Sequence, residues 1–428
     1  MKKPTKNSFF CLSALLIALG MLSPSLSRAQ SHLQILFDKQ QSQVFGSENL
    51  ITLHRGFYLA EDRYIPNKLF RETNFIRKTA GFGYRMVKLL LLDAQITHLV
   101  ALSQHEVFGH GARFREMDYT KNSFNMNLYW PFGDGSGFAN YGTRKVGNKT
   151  TAQEYLAINI GGVDGEMLMA NNLGAQILLS DTLHYQQGLL YLFSQNNLML
   201  YLWYTRFTPT HKLKASNDMM NFIRSIAGPF LYSHPIDNTY ELHKLSLQSL
   251  ITFANPLQIY SAFSIIYTYG VKGQSKMNKI PMIRMGKVRY LPMLGYALTP
   301  FGSQFHFVNY FRFKRMLLSA DVAIGDNTFK NFYTLSLKGY NLIENRYIAL
   351  NAHLDFWNQP VLELDDYNKP TGGNALGGAI KADIMIRPFK LPNKLGLYVE
   401  TGYKTKGYLR GETLAASFIL RYGISLHL

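Results

Sequence analysis

The strongest constraint on the fold is an alternation of apolar and polar side chains along the last third of the sequence. Ile380, Ala382 and Ile384, for example, alternate with Lys381 and Asp383. A two-residue period places the two kinds of side chain on opposite faces of a β-strand. The pattern recurs in eight segments, at residues 283–298, 302–313, 316–325, 330–340, 346–358, 375–388, 395–405 and 414–427. Residues 281–428 are therefore predicted to form eight antiparallel strands.

The composition of the two faces favours a membrane barrel over a soluble one. Segments of about ten residues with an apolar row outside and a charged row inside are typical of transmembrane β-barrels, and eight is an even number that can close. Such a small barrel is filled by side chains, so bulk transport through it is not expected. A soluble β-sandwich or lipocalin-like barrel, with the charged row facing water, is the alternative.

The final residues of the sequence support the membrane prediction. Residues 421–428, Arg-Tyr-Gly-Ile-Ser-Leu-His-Leu, contain a polar residue, a glycine and then alternating apolar residues. This segment resembles the carboxy-terminal assembly signal of bacterial outer-membrane barrels, although Leu428 stands where an aromatic residue is more usual. The resemblance implies an outer-membrane location, with membrane lipid, lipopolysaccharide and the barrel assembly machinery as partners.

The beginning of the sequence predicts export. Residues 1–29 combine an early basic cluster, an apolar run from Phe9 to Leu22 and small residues before Gln30, which is the pattern of a signal peptide. The only cysteine, Cys11, lies in this segment, so no disulfide is expected elsewhere. Removing the signal peptide, which holds four basic residues (Lys2, Lys3, Lys6 and Arg28) and no acidic ones, takes the net charge from +18 to +14, and this charge favours anionic lipid head groups and lipopolysaccharide. No basic run or known motif predicts nucleic-acid binding.

Residues 30–280 are predicted to form a mainly helical domain, which makes the chain an α+β multidomain protein. Apolar residues at helical spacing mark later helices near 182–207, 217–227 and 240–269. Polar residues interrupt these windows before the ~20 apolar residues needed to cross a membrane. They are therefore predicted to be buried core helices, with interfacial contact as the alternative. Residues 272–279 form the predicted domain boundary.

A short motif in the helical region carries the functional prediction. Residues 105–110 read His-Glu-Val-Phe-Gly-His, late in a helix predicted over 86–104. At about 100° per residue, five steps would separate His105 and His110 by roughly 140° around a regular helix, too far to share an ion. A π-type inserted residue would bring the rings together, and Gly109 tolerates the required backbone distortion.

This motif resembles that of dipeptidyl peptidase III-type zinc metallopeptidases, which have His-Glu-x-x-Gly-His and a glutamate ligand on a later helix. The resemblance implies that His105 and His110 bind Zn²⁺ and that Glu106 is the catalytic general base. Glu166, in a glycine-rich start to an apolar helix at residues 160–171, is the predicted third ligand. Asp164 is the alternative third ligand.

Together these features predict an outer-membrane-anchored zinc hydrolase that cleaves peptide bonds, with its helical domain in the periplasm. A hairpin predicted at 122–141 would bind an extended peptide substrate along its edge. Two alternatives stay open: a non-enzymatic outer-membrane protein with a structural metal, and a zinc-dependent lipid or acyl-ester hydrolase. A di-iron oxygenase would need more clustered ligands than the sequence shows.

Overall fold

The fold is described from a computed structural model of the full chain. The residues that it describes are 32–65, 74–144, 150–209, 212–213, 217–226, 238–326, 331–362, 373–387 and 395–427. The predicted signal peptide, residues 1–29, lies outside them, as does Leu428.

Helices dominate the described residues up to Val271. The α-helices are α1 (Gln43–Tyr64), α2 (Phe75–Lys88), α3 (Ala94–Ser103), α4 (Gly111–Glu116), α5 (Ala152–Ser180), α6 (Tyr185–Phe207), α7 (Asp218–Ser225), α8 (Asn238–Ser249) and α9 (Pro256–Phe263). Three π-helical segments are π1 (Leu89–Asp93), π2 (Gln104–His110) and π3 (Ser264–Val271), and Leu250–Ala254 is a 3₁₀ turn. The predicted hairpin is confirmed, with strands β2 (Ser123–Met126) and β3 (Gly137–Asn140).

Ten strands form one antiparallel sheet. Its strands are β1 (His32–Phe37), β6 (Ile283–Met285), β7 (Val288–Thr299), β8 (Gly302–Phe313), β9 (Met316–Asp326), β10 (Asn331–Glu344), β11 (Ile348–Pro360), β12 (Asn374–Ile386), β13 (Leu395–Lys404) and β14 (Ser417–His427). Their order is β1-β14-β13-β12-β11-β10-β9-β8-β7-β6. A separate two-stranded sheet pairs β4 (Thr182–His184) with β5 (Lys276–Asn278).

The prediction of a helical region followed by a large antiparallel sheet is confirmed, but the closed eight-stranded barrel is not. Seven of the eight predicted segments correspond to β8–β14. The first, 283–298, is wrong as a single strand, because a turn with Gly286 at positive φ divides it into β6 and β7, which pair with each other; with the early β1 the sheet has ten strands. Among the described strands, β1 and β6 end the ladder without pairing with each other. Helices cover these margins instead, because α1 packs on β1 and helical residues near 250–254 pack on β7.

The two faces of the sheet have the predicted polarity. Ile380 is 60% exposed, whereas its neighbour Lys381 is 8% exposed. On the inner face Arg421 contacts Glu400 at 3.0 Å and Glu412, and Lys381 also reaches Glu412 at 3.0 Å. Burial of these charges is offset by their pairing, since an unpaired ion inside a protein is costly. The outer face is apolar and exposed.

The helical part packs on the inner face of the sheet, so the two parts share their core. One apolar cluster joins Leu156 and Met219 from the helices to Tyr296 and Phe332 from the strands. A polar link is formed by Asp164 of α5, whose carboxylate accepts hydrogen bonds from residues that precede β14. The space that the sequence assigns to a polar lumen is thus filled by helix and side chains.

One helical run has the length and composition of a membrane-crossing segment. It extends over Phe75–Glu116, with 44% of its most apolar window buried inside the protein. The bent pair Asn238–Ala254 and Pro256–Val271, with an angle of 65°, adds a second if it is counted as one span. Core helices of soluble proteins pass the same test of length and hydropathy.

Candidate metal site

The site is organised by π2, which winds the His-Glu-Val-Phe-Gly-His motif as the five-residue spacing predicts. The π-helical segment covers Gln104–His110 and continues directly from α3. The wider winding brings the rings of His105 and His110 to a centroid distance of 5.0 Å. Their Nε2 atoms are 3.3 Å apart. The two imidazoles therefore face one point from the same side of the helix.

The opposite edge of each ring faces an acceptor. Nδ1 of His110 lies 2.7 Å from the carbonyl oxygen of Ile158, and Nδ1 of His105 lies 3.1 Å from Oε2 of Glu166. When such a ring is neutral and its Nδ1–H donates to the acceptor, Nε2 carries the lone pair. Two lone pairs directed at each other over 3.3 Å repel unless a cation or a proton lies between them.

A carboxylate that the sequence does not single out completes the group. Oδ2 of Asp218 lies 3.3 Å from Nε2 of His110 and 4.0 Å from Nε2 of His105. Asp218 is the first residue of α7, behind the N-cap Asn217. Tyr201 helps to position it, because the Asp218 backbone N–H donates to the Tyr201 hydroxyl at 3.1 Å. His105, His110 and Asp218 each offer one donor atom, and these atoms lie within 4.8 Å of one another.

Glu166 is beside the site but on the far side of His105. Its carboxylate contacts Nδ1 of that ring and accepts a hydrogen bond from the side chain of Asn197. It is also not near a helix start, because α5 begins at Ala152 and holds Glu166 in its middle. The capping box formed by Thr151 and Glu154 starts this helix earlier than the glycine-rich sequence suggests.

Asp164 has a different role in the structure. Its Oδ1 accepts hydrogen bonds from the Tyr408 hydroxyl at 2.6 Å and from Nε of Arg410 at 2.9 Å. Its Oδ2 faces Nη2 of Arg113 at 3.5 Å. Two guanidinium groups and a phenol thus occupy this carboxylate, and it belongs to the contact between α5 and the segment before β14.

Glycines allow α5 to approach π2 closely. A Cβ atom added to Gly109 would lie 2.6 Å from the carbonyl oxygen of Gly161 and 2.7 Å from Cα of Gly162. A Cβ on Gly162 would overlap the ring of His105. The glycine-rich segment, which resembles a loop in the sequence, is therefore the place where α5 crosses π2. Because Gly162 has no side chain, the ring of His105 fits there.

Glu106 lies between π2 and the hairpin. Its side chain is buried, and a Cβ added to Gly137 of β3 would come within 2.7 Å of its Oε1. Among the described strands only β2 pairs with β3, so the second edge of β3 carries no neighbouring strand. The motif carboxylate is thus packed against the backbone of β3.

The charges of the metal-free site are strongly coupled. Burial raises the pKa of the Glu106 carboxyl, against the effect of the two histidines. Burial disfavours charge on His105, but Glu166 and Asp218 outweigh it and raise the pKa of this ring well above its usual range. Burial likewise opposes ionisation of Asp218, yet His110 and His105 lower its pKa to about 2. The site therefore attracts positive charge.

The donor set fits a divalent metal ion. Two imidazole nitrogens and one carboxylate oxygen are ligands that zinc and related ions accept, and three protein ligands leave a coordination position open. The geometry is an independent indication, because the Nε2 atoms of His105 and His110 lie 3.3 Å apart and Oδ2 of Asp218 lies 3.3 Å from one of them, so one ion could contact all three. The structure thus contains a group of side chains that could hold a metal ion, as the sequence predicts.

Comparisons of the chain with protein-family models, curated proteins and solved structures found no match. The assignment of a function therefore depends on the site itself. Sequence reasoning had identified His105, Glu106 and His110, and it missed Asp218. The available signal was an Asn-Asp pair, Asn217 and Asp218, at the start of an amphipathic helix, which is also what an ordinary helix start looks like.

Proposed function

We propose that the protein is a metal-dependent hydrolase of peptide bonds, in which His105, His110 and Asp218 hold one Zn²⁺ ion and Glu106 is the general base. The observation that carries the proposal is the pair of Nε2 atoms 3.3 Å apart, with Oδ2 of Asp218 3.3 Å from one of them. In this assignment Glu166 positions His105 through Nδ1, and Asp218 takes the ligand role that the sequence assigns to Glu166.

The ligands and Glu106 have distinct tasks. A bound Zn²⁺ ion would lower the pKa of a coordinated water to ~7 and polarise a substrate carbonyl. Glu106 accepts the proton of the attacking water and donates it to the leaving amine. Its burial supports this role, since a raised pKa lets the carboxyl hold a proton between the two transfers. Glu166 keeps the lone pair of His105 directed at the site.

The strand edge of β3 supports a peptide as the substrate. An extended peptide that pairs with this edge would form backbone hydrogen bonds without requiring a particular side chain. Gly137 sets the distance between the strand and the Glu106 carboxylate. A peptide lying there would present successive carbonyl groups beside the general base.

The exposed apolar face of the sheet supports an outer-membrane location. Leu397 is 50% exposed and Phe418 is 68% exposed, while the buried Glu400 and Arg421 point inward. Water would not favour so large an apolar surface, whereas lipid would. We assign strands β7–β14 to the bilayer. Helical residues pack against the two ends of the sheet, at β1 and β7. Membrane lipid, lipopolysaccharide and the assembly machinery remain the proposed partners.

Metal analysis of purified variants tests the ligand set without a substrate. His105→Ala, His110→Ala and Asp218→Ala are each expected to lose nearly all of the bound zinc that the unaltered protein retains after dialysis. Asp118→Asn is the matched control, because Asp118 is an exposed carboxylate just beyond α4 and asparagine tolerates its φ of 57°. Wild-type zinc content in Asp218→Ala, with loss in both histidine variants, would remove Asp218 from the ligand set.

Hydrolysis of a lipid acyl ester is the second candidate function. It is favoured by the exposed aromatic side chains at the tip of the hairpin, where Trp130 is 63% exposed and Phe132 58% exposed. The same water attack would cleave an ester carbonyl. Release of fatty acid from phospholipid vesicles, with no cleavage of peptide libraries, would select this candidate over peptide hydrolysis.

A further inference from the structure

A second set of exposed apolar side chains lies on the helical part. Six of its members are Val87, Leu90, Leu91, Trp130, Phe132 and Ile266, and together they are called the helical apolar face below. Each of these side chains is more than one-third exposed, and Trp130 and Ile266 are 63% and 62% exposed. An exposed set of this size needs a physical explanation, because single exposed apolar residues are ordinary but clustered ones are not.

Specific contacts join the members of this face. The side-chain amide of Gln95 donates to the backbone carbonyls of Leu90, at 3.3 Å, and Trp130, at 3.0 Å. The hairpin tip is thereby fixed next to π1. On the other side, Nε of Arg85 donates to the carbonyl of Gly270 at 2.9 Å, which ties α2 to π3. Hairpin, π1 and π3 thus present their apolar side chains as neighbours.

The surroundings of the face indicate a lipid bilayer as the occupant. Lys272 follows π3, and its Nζ lies 4.6 Å from the ring centre of the exposed Tyr267. A lysine beside an aromatic ring at the margin of an apolar surface is the arrangement found at membrane interfaces. The net charge that remains without residues 1–29, +14 after four basic residues are subtracted from +18, is complementary to anionic head groups.

We propose that the helical apolar face contacts the acyl chains of the same bilayer that surrounds the sheet. This inference rests on the proposed membrane location of the sheet and differs from the sequence expectation of a helical domain free in the periplasm. It places the hairpin that adjoins Glu106 at the membrane, so that substrates reach the site along the bilayer. Membrane-anchored polypeptides are then the favoured substrate class.

Spin labels at single cysteines test the inference without an activity assay. Cys11 is the only cysteine, so Cys11→Ser gives a cysteine-free full chain. Nitroxides are attached in L91C, W130C and I266C and in the control S123C, whose position is exposed and polar at the base of the same hairpin. L397C reports on the outer face of the sheet. The proteins are reconstituted in vesicles of phosphatidylethanolamine and phosphatidylglycerol.

Collision with oxygen, which is enriched in lipid, is compared with collision with a water-soluble nickel chelate. Residues 91, 130 and 266 are expected to behave like residue 397, with high oxygen and low nickel accessibility, and opposite to residue 123. Nickel accessibility at all three positions with lipid contact retained at 397 would overturn this inference alone. Low accessibility to both reagents at the three positions would also overturn it, because a protein partner would then cover the face. Nickel accessibility at 397 would overturn the membrane location itself.

Discussion

Two π-helical segments, π1 and π2, lie in one helical run and are separated by α3. They have the same winding but bring together side chains of different chemistry. At π1 the residues five positions apart are Lys88, the last residue of α2, and Asp93, and Nζ lies 2.9 Å from Oδ1. In π2 the residues five positions apart are His105 and His110, with Nε2 atoms 3.3 Å apart. The wide winding brings residues i and i+5 together in both cases.

The difference lies in whether the chain supplies its own cation. The Lys88 ammonium contacts the carboxylates of Asp93 and Glu61, and it also donates a hydrogen bond to the Tyr185 hydroxyl at 2.9 Å. The lysine thus supplies the positive charge at this position. At π2 the facing groups are two lone-pair nitrogens and the carboxylate of Asp218. A π-segment alone therefore does not make a metal site; the chemistry of the i and i+5 residues decides between an internal ion pair and an external ion.

The largest expected effect concerns the catalytic group of π2. Glu106→Gln keeps the size of the side chain but removes its basicity, so hydrolysis is expected to fall by about 10²–10⁴-fold. Bound zinc, measured by atomic absorption on the same sample, is expected to stay at the wild-type level. Unchanged turnover in this variant would remove Glu106 from the role of general base, whereas bound zinc without hydrolysis in the unaltered protein would favour the alternative of a structural metal in a non-enzymatic protein.

The internal ion pair of π1 is expected to matter for stability rather than for metal binding. Lys88→Met leaves two buried carboxylates without their cation, which costs about 3–5 kcal/mol of unfolding free energy. Denaturant titration in detergent micelles measures the loss, and zinc content of the folded variant should be unchanged. Lys78→Met, at an exposed position of the same helix, is the control and should change stability by less than about 0.5 kcal/mol.

The carboxylate behind His105 is expected to tune the metal site. Glu166→Gln replaces a charged acceptor with a neutral one at Nδ1, so zinc affinity should fall about 10–100-fold. Competition with a chromogenic chelator measures the change. Complete loss of zinc, equal to that of His110→Ala, would instead make Glu166 a direct ligand as the sequence predicts.

The close crossing of α5 over π2 gives a prediction about packing. Gly162→Ala places a methyl group on the His105 ring, so we expect weaker zinc binding and a loss of about 1–3 kcal/mol of stability. Gly56→Ala on α1 is the matched control, since an added Cβ meets nothing within 4 Å there. The control is expected to gain about 0.5–1 kcal/mol from reduced chain entropy.

A pH dependence of stability is also expected from the ion pair at π1. Burial, together with the nearby Glu61, outweighs Lys88 and raises the pKa of Asp93 from 3.8 to about 7. The folded state then binds a proton that the unfolded state releases between these values, so stability should fall as the pH rises from about 4 to 7. Asp93→Asn should remove this slope in unfolding titrations at several pH values. An identical slope in the variant would assign it to other groups.

The regular part of the fold is predictable because every strand repeats the same signal. The predicted segment 302–313 coincides with β8, and 395–405 exceeds β13 by one residue. Strand β1 could not be found in the same way. It has six residues without a neighbouring repeat, and its partner β14 lies at the other end of the described sequence. Pairing over such a distance leaves no local pattern.

In the candidate metal site, the two histidines could be predicted from a local sequence pattern, but the carboxylate ligand could not. The five-residue spacing of His105 and His110 excludes a regular helix, so the π-winding could be inferred from the sequence. The contribution of Asp218 depends on how α7 packs near π2, and no spacing rule connects the two. Glu166 was placed at a helix start because Gly161 and Gly162 resemble a loop, whereas their absent side chains permit a helix crossing.

The pairing of β1 with β14 has a consequence for dissecting the molecule. His32–Phe37 pair with the last strand, so the described helices are inserted in the sequence between β1 and β6, which form the two ends of a single sheet. A single cut at 272–279 would leave β1 attached to the helices and β14 exposed along one edge. The helical part and the sheet are thus separate in secondary structure but joined by the pairing of β1 with β14. Neither fragment is therefore expected to be a complete folding unit.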